Sequence, residues 1–201
     1  MHIPRLALIG STTAALCLAL GGCTVSVMPV PDVTPSTDAN TYTCANPGST
    51  PTPCTPEMYA QEKMDDALYE RAQGVYKQLF AEVSALQRSG GTTEASATLQ
   101  ATAGGPYLSG QVSQLTALVQ AQAKAVGETK IKRMEPFPGA TARGYTTAIV
   151  VCIDATAVQI KQGETVIGKG VNIAERVYFK TDGDTIKAWD AEKLEPTSIG
   201  C

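Results

Sequence analysis

The chain has 201 residues, 43% of them apolar, which is enough for one domain with a modest core, or one domain with tails. Sixteen Lys and Arg against nineteen Asp and Glu give a net charge of −3 with no basic cluster, so a nucleic-acid partner has no electrostatic footprint. One histidine exists, His2, inside a segment expected to be removed. The working protein would then have no imidazole for a nucleophile system or a zinc site.

Residues 1–22 read as a signal peptide: Arg5 precedes the mostly apolar run Leu6 to Leu20, which is short for a membrane span and ends in Gly21-Gly22-Cys23. Leu20-Gly21-Gly22-Cys23 resembles the lipobox of bacterial lipoproteins. That resemblance implies diacylglycerol on the Cys23 thiol, with acyl chains such as palmitate, and cleavage just before it. At ~0.8 kcal/mol per buried methylene, two chains would hold the protein on the outer side of the cell membrane more firmly than one myristoyl chain could. The bilayer is therefore one expected partner.

With Cys17 removed and Cys23 acylated, Cys44, Cys54, Cys152 and Cys201 remain, and four cysteines in an exported chain imply two bridges with three possible connectivities. Cys44 and Cys54 share one short Pro-rich stretch; Cys152 lies in an apolar run and Cys201 is the last residue. The expected pairs are Cys44 with Cys54 and Cys152 with Cys201. No C-x-x-C pair exists and an oxidising compartment favours disulfides, so no metal on these thiols is expected; no cofactor is expected either.

Residues 23–57 hold the lipidated cysteine and a stretch with seven of the twelve prolines, eleven Ser or Thr and no Lys or Arg. Such a stretch buries too little apolar surface to offset its ordering entropy, and it reads as a tether spanning about 30 Å as a coil.

The folded part is expected over residues 58–201. Its first helix opens at Thr55-Pro56-Glu57, with Thr as cap, Pro at the first position and an acid in the first turn. Met64, Leu68, Ala72, Val75, Leu79, Val83 and Leu86 form one helical stripe, flanked by Tyr76 and Phe80 and stopped at Gly90-Gly91. A second helix is predicted from Thr93 to Ala103. A third is predicted from about Ser109 to Val126, with glutamines Gln111, Gln114, Gln120 and Gln122 off its apolar side.

After Gly127 the period changes to alternation. Strands are predicted from Thr129 to Pro136, from Tyr145 to Asp154, from Val171 to Lys180 and from Thr185 to Glu192, with a turn at Gly163 and a hairpin at Asp182-Gly183. Helices first and strands after predict an α+β domain, three N-terminal helices packed on one antiparallel sheet of about four strands.

The run Val150-Val151-Cys152-Ile153-Asp154-Ala155-Thr156, then Glu175-Arg176-Val177-Tyr178-Phe179, then Asp182-Gly183 and the final cysteine carry a family resemblance. Over residues 58 to 201 they are similar to actinobacterial envelope lipoproteins with a nuclear-transport-factor-2-like domain. That resemblance implies a curved sheet wrapped round a long helix as a cone.

Members of that fold include isomerases and dehydratases as well as non-enzymatic modules, so the fold alone assigns no activity. An acid/base enzyme would need a carboxylate held in an apolar cavity. Glu175, which shares a strand face with Ile173, Val177 and Phe179, and Asp154 at the end of the long strand are the two candidates. Tyr76, Phe80, Tyr145, Tyr178 and Trp189 are candidates for lining a ligand pocket. Without histidine, a non-catalytic binding or accessory module is the leading reading, its partner an envelope protein, a cell-wall polymer or a small apolar ligand. The alternative is a small-cavity acid/base enzyme using an interior carboxylate.

Overall fold

A computed structural model describes residues 42–45 and 50–201. Cys23, the segment 1–22 expected as signal peptide, and residues 24–41 and 46–49 of the stretch expected as tether lie outside the described residues.

Strands β1 (Tyr42–Cys44) and β2 (Thr52–Cys54) pair antiparallel, closed by a Cys44–Cys54 disulfide. This ribbon lies within the stretch expected as tether. Its Tyr42 ring sits 5.2 Å from that of Tyr59, and the Ala45 amide donates to Glu62 at 3.1 Å, so it is docked on the first helix.

That helix, α1 (Pro56–Ser89), begins and ends where its local chemistry directs. The Thr55 hydroxyl accepts from the Met58 amide at 3.2 Å, and Gly90 stops the helix with φ +102°, a left-handed conformation that glycine adopts without penalty. Ser96 then caps α2 (Ala97–Thr102) and donates to Glu82 of α1 at 2.6 Å, fixing the short helix against the long one. Helix α3 (Gly105–Gln120) follows. Residues Gly104 and Gly105 pass so close to Trp189 that a Cβ on either would lie within 2.8 Å of its ring.

The remaining strands are β3 (Ala123–Val126), β4 (Lys130–Pro136), β5 (Thr147–Asp154), β6 (Gln159–Gln162), β7 (Thr165–Lys169), β8 (Asn172–Asp182) and β9 (Thr185–Leu194). They form two antiparallel sheets, one ordered β3-β6-β7 and the other β4-β5-β8-β9. A second disulfide joins Cys152 of β5 to Cys201.

The chain does not form the expected architecture of three N-terminal helices on a single sheet of about four strands, closed into a cone. Among the described residues there are three antiparallel sheets, of two, three and four strands, with one long helix. The helix predicted to reach Val126 stops at Gln120, because Gln122 takes a left-handed φ of +48°. The residues beyond it alternate buried and exposed as β3. The predicted turn at Gly163 proves to join two strands, β6 and β7, which are short, largely exposed and lack an apolar alternation. They are held by pairing with a strand more than thirty residues earlier.

Alternation places Ile149, Val151 and Ile153 of β5, and Val177 and Phe179 of β8, on the face turned to the helices. They pack with Ala72, Tyr76 and Leu79 of α1, Leu99, Tyr107 and Leu115. Each fully buried large side chain contributes about 1.5–3 kcal/mol, which makes this layer the main stabilising contact between helices and sheet. The opposite face carries a smaller cluster of Ala148, Tyr178, Phe137, Tyr145 and Ala140.

Candidate functional site

The same alternation puts Glu175, two residues before Val177, on the helix-facing side of β8, where a carboxylate would be costly without partners. Two phenols supply them. Tyr76 of α1 donates to Glu175 Oε1 at 2.6 Å and Tyr107 of α3 donates to the same oxygen at 3.3 Å. Among the described residues Oε2 accepts no hydrogen bond.

The three groups border a cavity of about 590 Å³. Its apolar wall is Leu79, Phe80 and Val83 of α1 with Ile153 and Ile173 of the sheet; its polar wall is Gln87, Gln111 and Gln114. Ser84 and Thr129 also line it, their hydroxyls 3.1 Å apart. At the rim stand Val171, 63% exposed, and the solvent-exposed Lys193, while Leu194 and Pro196 form one margin.

Burial pushes the Glu175 carboxyl above its usual range, against the opposing pull of the two phenolic hydrogen bonds and of Lys193. Burial, and then the Glu175 charge, push the phenols of Tyr76 and Tyr107 well up, so both remain protonated donors at physiological pH. The arrangement offers one satisfied oxygen, one open oxygen and two fixed donors beside an apolar wall. It can accept a hydrogen bond from a guest, pair with a cation or exchange a proton. No group of three metal-ligating side chains forms among the described residues.

Of the residues singled out in the sequence, Glu175, Tyr76 and Phe80 meet at this cavity. Asp154 does not. It caps the turn after β5, accepting from the Thr156 amide at 2.9 Å and the Thr156 hydroxyl at 2.6 Å, with Lys132 at 3.8 Å. Those bonds from Thr156, helped by Lys132 and Lys130, hold its carboxyl below the usual range. A carboxylate so bound stabilises a turn and is not available inside a cavity.

Tyr145 and Tyr178 lie on the other face of the sheet. They stack with ring centroids 4.7 Å apart and hydrogen bond to Asp190 and Glu192, while Arg176 lies 3.8 Å over Phe137. Trp189 is the extra residue of a β-bulge, opposite neither Tyr178 nor Phe179, and packs on Gly104 and Gly105. None of these three lines the cavity.

Sequence reasoning missed Tyr107 and Lys193. Tyr107, Gln111 and Gln114 follow one another at helical spacings of four and three, so the glutamines noted along α3 were a sign of a polar helix face, and Tyr107 extends it.

No family model matches the sequence, and comparison with curated proteins finds no match. Among solved structures, a de novo designed β-sheet protein determined by solution NMR aligns at 18% identity with a TM-score of 0.35, covering 62% of this chain and 90% of that one. At that score the likeness supports nothing about fold or function.

Proposed function

We propose that the protein is an exported, lipid-anchored envelope protein whose folded part is a binding module for a small, mostly apolar molecule. The observation that carries this reading is the cavity of about 590 Å³, walled by Leu79, Phe80 and Val83 and ending in a carboxyl with one oxygen left open. A volume of that order suits a small-molecule site, and such sites combine apolar walls with a few placed polar groups. The lipobox-like Leu20-Gly21-Gly22-Cys23 supports the anchor, and two disulfides favour an oxidising compartment. No helix among the described residues is long and apolar enough to cross a membrane, so the Cys23 lipid would supply the attachment.

Titration with the neutral fluorophore N-phenyl-1-naphthylamine tests the cavity. We expect saturable one-to-one binding that Val83→Trp abolishes while circular dichroism stays unchanged, since the indole would occupy the cavity. A wild type that leaves the fluorophore dark overturns the reading. For the anchor, metabolic labelling with a clickable fatty acid should mark the wild type and not Cys23→Ala; equal labelling rejects lipidation.

A second reading, acid/base catalysis, is favoured by one observation: Glu175 is a carboxyl of raised pKa facing an apolar cavity. Chromatography of a cavity ligand recovered after incubation separates the two readings. A binder returns it unchanged, whereas an enzyme converts it with wild type and not with Glu175→Gln.

A further inference from the structure

Resting on the cavity reading above, the geometry points to a more specific occupant: we infer that the cavity takes an aliphatic amine, its ammonium group on Glu175 Oε2 and its chain along Leu79, Phe80 and Val83.

Both phenolic donors converge on one carboxylate oxygen, Tyr76 at 2.6 Å and Tyr107 at 3.3 Å, so the protein satisfies Oε1 and leaves Oε2 to another donor. The expected internal counter-ion is Lys193, which stands directly opposite Glu175 in the β8–β9 register. Its side chain is exposed, and no ion pair within 4.0 Å joins the two among the described residues. The carboxylate thus lacks the cation its own sheet could have supplied.

Aromatic surface lies beside it. The Tyr76 and Phe80 rings stack at 6.5 Å with an interplanar angle of 21°, and both border the cavity. An ammonium group next to such rings gains a cation–π attraction in addition to the charge-assisted hydrogen bond. A carboxylate guest would meet Glu175 as a like charge. An alcohol would donate to Oε2 without neutralising it. Burial raises the Glu175 pKa, and the pull of Lys193 from outside ion-pair distance does not offset it.

Lys193, the cation opposite Glu175 in the register, would then compete with the guest for Oε2.

The test is displacement of bound N-phenyl-1-naphthylamine by n-decylamine, 1-decanol and decanoate, each below its aggregation concentration, at neutral pH. In the wild type, n-decylamine should compete at about tenfold lower concentration than decanol, with decanoate weakest, as expected for a charge-assisted bond against a neutral one. Glu175→Gln keeps an Oε1 acceptor for both phenols and should bring the amine and the alcohol to within about twofold of each other, a loss of the charged partner alone. Lys193→Gln should strengthen the amine further. Equal competition by all three probes in the wild type, or an amine preference that survives Glu175→Gln, overturns the inference and leaves the cavity reading standing. Failure of the fluorophore itself to bind removes the cavity reading and the inference together.

Discussion

Glu175 links the site to stability through its proton. Its folded-state pKa is raised, chiefly by burial, while in the unfolded chain a glutamate titrates near 4.3. Between those two values the native state holds more protons than the unfolded state, so the unfolding free energy falls as pH rises. The contribution is fully present below about pH 4.3 and is lost as pH rises through the folded pKa. Urea denaturation across that window should therefore show the wild type losing stability relative to Glu175→Gln as pH increases. A difference between the two proteins that stays flat with pH would mean that the carboxyl is not desolvated. Asp154 has the opposite sign: its lowered pKa stabilises above the unfolded value of about 3.9 and that gain is lost on acidification. Gly105 is the second residue on which much depends. With φ +51° and Trp189 only 2.6 Å from where a Cβ would stand, Gly105→Ala must strain the backbone and displace the indole. We expect a loss of about 1–3 kcal/mol in urea titration, accompanied by a shift in tryptophan fluorescence, since Trp189 is the sole tryptophan.

Elements whose ends are set by local chemistry were the legible ones. Thr55-Pro56-Glu57 and Gly90 bound α1 in the structure as they do in the sequence pattern. Its stripe is buried or half-buried from Leu68 to Leu86, while Met64 remains 55% exposed on a part of the helix without core packing. The alternation of β8 was enough to set Glu175 on the face of Val177 and Phe179. What it could not show is that α1 and α3 bring Tyr76 and Tyr107 to that residue from 99 and 68 positions away, since contacts of such separation leave no local pattern. The same reason hid β3, β6 and β7, which are strands by virtue of their neighbours, and the ribbon, whose Pro53 and exposed positions resemble linker composition. Gly74 lies in the interior of α1, where a Cβ would meet nothing within 4 Å. Gly74→Ala should therefore stabilise α1 by about 0.5–1 kcal/mol, as should Gly110→Ala in α3, where the space is equally open. Thermal melts should show the two gains adding in the double variant, because the sites lie in different helices. A loss at either position would indicate that the glycine is needed for packing.

At the scale of the whole folded part, α1 acts as a rod of about 51 Å with different tasks at its two ends. The ribbon docks on Tyr59 and Glu62, and the cavity is built on Tyr76 to Gln87. The ribbon thus lies at one end of the helix and the cavity toward the other. The two disulfides divide along the same axis. Cys44–Cys54 closes the ribbon, whereas Cys152–Cys201 holds the segment that follows β9, with Asn172 donating to the Cys201 carbonyl at 3.2 Å and Arg133 donating to that of Ile199. Pro196 in that segment and Asn172 beside it both border the cavity, so loosening the segment changes the cavity wall directly. The chain-entropy model gives about 4 kcal/mol for the bridge whose cysteines are separated by 49 positions and about 3 kcal/mol for the ribbon bridge with a separation of 10, as upper values. Both double variants, Cys44→Ala with Cys54→Ala and Cys152→Ala with Cys201→Ala, should therefore lower the urea midpoint. Only the second should also speed release of N-phenyl-1-naphthylamine at concentrations of urea where both proteins are still folded. If the ribbon variant releases the fluorophore equally fast, the two ends of α1 are coupled and the division of tasks along the rod is wrong. If neither does, the segment from Pro196 to Cys201 is not a working part of the wall.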